Sequence, residues 1–93
     1  MNSFNQDVDE KFEALKTILR QKNGLIPAGL QWGSGASHVE VRIPRRVLKS
    51  GHGEFVPAPG VDRSSNGEFV LLRGSDPKPV GESAIALLEK FRL

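Results

Sequence analysis

The chain has 93 residues, 38% of them hydrophobic and only 6% aromatic, with 13 basic and 11 acidic side chains and no cysteine. That size and balance fit one domain with a modest aliphatic core, and they exclude disulfides, thiol nucleophiles and cysteine-ligated zinc. A net charge of +2 does not by itself imply a nucleic-acid partner, and no apolar run approaches the roughly 20 residues of a membrane span.

The polar and acidic stretch Met1-Asn2-Ser3-Phe4-Asn5-Gln6-Asp7 lacks the features of a signal peptide, and a cysteine-free domain this small is expected in a reducing cytoplasm. Ser3 and Gln6 have capping-box spacing, so a helix is expected over about 4–23. Asp7, Asp9 and Glu10 lie near its positive end, and Lys16, Arg20 and Lys22 near its negative end. Phe4, Val8, Phe12, Leu15 and Leu19, with Ile18 beside them, form a stripe at helical spacing that should pack on a sheet. Asn23-Gly24 is expected to stop the helix, with Gly24 in the left-handed conformation.

Residues 25–37 read as a loop with room for a short strand at 30–32. The period then becomes two: His38, Glu40 and Arg42 alternate with Val39, Val41 and Ile43, which predicts a half-buried strand over about 38–43 that Pro44 ends or marks as an edge. Two similar tetrapeptides follow, Gly53-Glu54-Phe55-Val56 and Gly67-Glu68-Phe69-Val70, and suggest strands at about 54–57 and 68–73. Phe69-Val70-Leu71-Leu72 is apolar on both faces, so this strand is either central and covered twice or presents one face as an interface. Asp76-Pro77 supplies an N-cap with proline at N1 for a helix over about 77–91, whose apolar side is Ala84, Ile85, Leu87, Leu88 and Phe91.

The expected fold is therefore α+β: one domain, residues 1–93, with a three- to four-stranded antiparallel sheet and helices at both ends, in α-β-β-β-α order. That order, Gly24 to Pro27 after the first helix and the Leu88-Glu89-Lys90-Phe91 ending resemble a double-stranded-RNA-binding domain. The resemblance covers only the two ends, with 44–66 as an insertion. The phosphate-gripping, lysine-rich helix start of that family is here Asp76-Pro77-Lys78-Pro79-Val80, so the chain is not assigned to it.

No linear motif defines a reaction. Ser34 in Trp32-Gly33-Ser34-Gly35 lacks the nucleophile-elbow spacing, and Gly33-x-Gly35 lacks the Gly-Lys-Ser/Thr of a phosphate loop. His38 and Glu40 share a strand face but have no evident third metal ligand, and an ion pair of Glu40 with Arg42 accounts for them more simply. The basic segment 42–49 stands out: Arg42, Arg45, Arg46 and Lys49 fall within eight residues, and residues 41–52 contain no acid. Arginine forks suit carboxylates and phosphates alike, and Trp32 would add a stacking surface if its loop lay close. These five residues are the candidate binding site of a small non-catalytic binding or regulatory module. It is expected to act through protein–protein contact, a protein partner or self-association, without cofactor, metal or membrane. The alternative is a nucleic-acid-binding protein that uses 42–49.

Overall fold

The computed structural model describes residues 3–93, with side chains from Val8 onward. Its helices are α1 (Ser3–Arg20) and α2 (Pro77–Phe91), and its strands are β1 (Gln31–Ser34), β2 (Val39–Pro44), β3 (Asp62–Ser65) and β4 (Phe69–Gly74). The strands form one antiparallel sheet in the order β1-β2-β4-β3. The α+β class, the two flanking helices and an antiparallel sheet within the expected three to four strands are all present, with four strands in α-β-β-β-β-α order. The Ser3–Gln6 cap and the Phe4 end of the stripe lie outside the residues whose side chains are described. No helix among the described residues is long and apolar enough to cross a membrane.

The short strand allowed at 30–32 is present as β1, whose four residues pair with β2 from Gln31↔Arg42 to Ser34↔Val39. Two local expectations need correction. Gly24 is not left-handed: α1 ends at Arg20, and the chain leaves through a 3₁₀ turn, Asn23–Leu25. Residues 54–57 form no strand: Glu54 closes a 3₁₀ turn, His52–Glu54, and Pro57 and Pro59 have no N–H to give to a ladder. The strand lies instead at Asp62–Ser65, which has no apolar alternation to betray it.

Register sorts the side chains by face. Val41↔Leu72 and Ile43↔Val70 set the apolar side of β2 against the apolar side of β4, and all four residues are fully buried together with Val39. Leu15 and Leu19 of α1 and Val80, Ala84, Leu87 and Leu88 of α2 complete this core. The helices meet at Gly81, where a Cβ would come within 2.8 Å of Ile18 Cγ2 and 3.2 Å of Leu15 Cδ1, so the absent side chain is what permits the close approach. Asp76 caps α2 by accepting from the Lys78 N–H at 3.0 Å, with Pro77 at N1, as its sequence predicts.

Residues 45–61 connect β2 to β3 along the same face as the helices. Leu48 bridges to Arg92, the Lys49 N–H donates to the Phe91 carbonyl at 2.6 Å, and the Ala58 N–H donates to Ser83 Oγ at 3.0 Å. Leu48 and Val61 are buried in the core, with Phe55 and Ala58 packed against it. Gly74 ends β4 where the Gly60 carbonyl would lie 2.7 Å from any Cβ, so this glycine seats the end of the connector. Arg63, on the helix side of β3, donates to the Phe55 carbonyl at 2.8 Å and the Gly53 carbonyl at 3.2 Å.

Burial sets the expected response to truncation. Leu15 is fully buried, whereas Phe12 is half-buried and stacks on Trp32 with ring centroids 6.1 Å apart. Leu15→Ala should cost about 3–4 kcal/mol and Phe12→Ala about 2 kcal/mol. Urea melts giving Phe12→Ala the larger loss would show that α1 is anchored by its stack on β1 rather than by the core.

Candidate functional site

Both helices and the connector cover one face of the sheet, and the other face is open. The alternation that buries Val39, Val41, Val70 and Leu72 directs Glu40, Arg42, Phe69, Leu71 and Arg73 to the open side. Phe69 and Leu71 are half-buried but do not belong to the core or pack against it. In cross-strand order one row of this face reads Gln31–Arg42–Leu71–Ser64 and the next Gly33–Glu40–Arg73–Asp62.

At its centre two guanidinium groups hold one carboxylate. Arg42 Nε donates to Glu40 Oε2 at 2.7 Å, and Arg73 Nη2 contacts Glu40 Oε1 at 3.1 Å. The Glu40 side chain is only 13% exposed, against 51% and 56% for Arg42 and Arg73. The acid therefore forms the floor and the two cations its rim. Burial pushes the Glu40 carboxyl up, but the two arginines together outweigh it and hold it below the usual carboxylate range. Gly33, opposite Glu40, puts no side chain over this floor, and a cavity of about 440 Å³ opens there, bordered by Gln31, Gly35, His38, Arg42 and Arg73. The His38 ring folds onto Gly35, its Cε1 3.0 Å from where a Cβ would stand.

The five residues singled out by sequence do not form one patch. Arg42 lies on the open face. Trp32 pairs with Val41 and so lies on the helix face, stacked on Phe12, its buried Nε1 without a hydrogen-bond partner among the described residues. Pro44 ends β2, and Arg45 and Arg46 sit in the 3₁₀ turn Arg45–Val47 beyond it. Arg45 Nη1 donates to the Asn66 carbonyl at 3.1 Å, tying this turn to the β3–β4 hairpin, and Arg46 Nη2 reaches over the left-handed Gly29. Lys49 is exposed on the connector. Sequence reasoning missed Arg73 and the notch at Gly33, because both depend on strand pairing between distant segments.

Other candidates have structural employment. Ser34 Oγ donates to the Val8 carbonyl at 2.8 Å, which pins β1 to α1. Among the described residues, no group of three or more His, Asp or Glu side chains is placed to hold a metal ion. Compared with protein-family models, curated proteins and solved structures, the chain matches none of them.

A second polar cluster lies where the connector meets β3, between His52 and Arg63. Arg63 Nη2 lies 3.3 Å from His52 Nδ1, so the ring accepts as a neutral imidazole. Burial and the nearby Arg63 and Arg45 charges all lower its pKa below the ordinary histidine value. The unfolded chain then takes up this proton at a higher pH than the folded one. Stability from this group is complete above about pH 6.5 and falls as pH drops through that value, whereas the contribution of Glu40 is lost only in the carboxylate range. Urea midpoints should decrease between about pH 7.5 and pH 5.5, and His52→Asn, which keeps an acceptor for Arg63, should remove much of that decrease. An undiminished decrease in the variant would mean that another group carries the effect.

Proposed function

We infer that this chain is a non-catalytic binding module that engages a partner protein through the open face of its sheet, working in the cytoplasm. The observation that carries this reading is the one-sided covering of the sheet: two helices and a 17-residue connector, residues 45–61, lie on one face, and among the described residues nothing lies on the other. On that bare face a small apolar patch, Leu71 and Phe69, lies beside Arg42, Arg73 and Gln31. Apolar side chains together with arginines are enriched at protein–protein interfaces. The absence of cysteine agrees with a reducing compartment.

Nucleic acid fits this face less well. Sheets that read single strands stack bases on several exposed aromatic rings, and here Phe69 is alone, with Trp32 turned to the other side. The basic turn at Arg45 and Arg46 remains the place where a nucleic-acid partner would bind.

Capture from the native cell extract tests the reading, with Leu71→Asp and the double variant Arg45→Ala/Arg46→Ala beside the wild type. Arg45 and Arg46 are exposed, so the double alanine variant should stay within about 1 kcal/mol of wild type. Leu71 is half-buried, and a urea melt of Leu71→Asp checks that it remains folded. Leu71→Asp should abolish recovery of the partner, and the double alanine variant should retain it. Loss with the double variant alone would transfer function to the basic turn, and undiminished recovery with both would remove the open face as well.

A further inference from the structure

The Glu40 clasp at the centre of the open face leaves two cations only partly used. A guanidinium carries five N–H donors, and among the described residues each of these two makes contact only with Glu40. Two cations around one carboxylate leave one positive charge in excess. Asp62 is the cross-strand neighbour of Arg73 on the far side, but it forms no ion pair with it. Glu40 also holds both planar groups in place, so little side-chain freedom remains to be lost when an anion arrives.

The notch beside them is open toward the edge of the sheet. Among the described residues β1 pairs with β2 alone, so its outer N–H and C=O groups are a free edge. A Cβ on Gly33 would meet nothing within 4 Å, so a side chain reaching inward from beyond β1 can cross this position unobstructed. At about 440 Å³ the cavity is within the range that ligands occupy. Leu71, the cross-strand neighbour of Arg42, gives the same entrant an apolar contact next to the charge.

We propose that the open face reads an extended acidic segment of its partner, which adds to the free edge of β1 and sends a carboxylate across Gly33 to the unused donors of Arg42 and Arg73. This rests on the reading of the open face as a protein-binding surface and specifies what it recognises. Main-chain pairing to an edge strand gives affinity, and the side chain entering the notch gives selectivity. Arg42 and Arg73 are the specificity residues. A singly charged carboxylate neutralises the one excess positive charge, whereas a doubly charged phosphate would overshoot it beside Glu40.

Amide NMR titration of the whole chain tests this with three probes: acetyl-tetraglutamyl-amide, acetyl-tetraglutaminyl-amide and inorganic phosphate. The glutamyl peptide at millimolar concentration should shift the amides of Gly33, Glu40, Arg42 and Arg73, and the glutaminyl peptide should leave them in place. Arg42→Lys/Arg73→Lys keeps the charge but loses the fork, and should weaken the glutamyl peptide at least about fivefold. Unmoved amides of the core residues Leu15 and Leu87 in that variant would confirm that it folds. Equal shifts with the glutaminyl peptide, an unweakened lysine variant, or stronger shifts of the same amides by phosphate would each overturn the proposal. If Leu71→Asp abolishes partner capture while the lysine pair leaves it intact, the acidic segment is wrong and the open face stands. If neither change affects capture, both fail.

Discussion

Because β2 pairs with β4 and not with β3, the chain that joins β2 to β3 has to pass β4, and it does so on the side the helices already occupy. That choice of side determines most of the molecule. The connector places Leu48 and Val61 into the core, Ser83 and Arg63 hold its backbone, and Gly74 is bare so that the Gly60 carbonyl can approach. Everything able to cover the sheet is then spent on one face. The opposite face is left as a consequence of connectivity, and its side chains are what the sequence places at the outward positions of β2 and β4.

Those outward positions carry a balance of opposing effects. Burying Glu40 to 13% exposure disfavours its charged form, and one arginine partner would be a modest remedy at a surface. Two partners, from β2 itself and from β4, reverse the outcome and keep the carboxylate ionised. The same ion pair that stabilises Glu40 also orders the two guanidinium groups, so the feature that tolerates a buried acid and the feature that could recognise an external one are the same three side chains.

The legible parts of the sequence were those whose pattern is local. The helical stripe of α1 through Phe12, Leu15 and Leu19, the Asp76-Pro77 start of α2, and the alternation of β2 all state their structure within a few residues. β4 was legible as a strand, and its two apolar faces reflect a central position with only one side covered. β1 was legible only as a short stretch at 30–32, because Gly33 suppresses strand propensity. β3 was not legible, because its inward residues are Arg63 and Ser65, and Arg63 serves carbonyl groups instead of a core. For the site, the Glu40–Arg42 pair could be seen two residues apart, but Arg73 joins them only through the β2–β4 register. The basic run is continuous in sequence but spans two elements: Arg42 lies within β2, Pro44 ends that strand, and Arg45 and Arg46 lie in the 3₁₀ turn beyond it.

The connector is held by residues far along the chain: the Leu93 N–H donates to the Val47 carbonyl at 2.9 Å, and Lys49 pairs with Phe91. During synthesis, α1, β1 and β2 emerge from the ribosome with Val39, Val41 and Ile43 still uncovered, since their covering helix α2 and their partner β4 have not been made. The first half of the chain therefore has no finished core of its own. Folding must wait for residues translated some forty positions later, and until then the nascent chain displays an apolar strand with an unpaired edge, the form of polypeptide that chaperones hold.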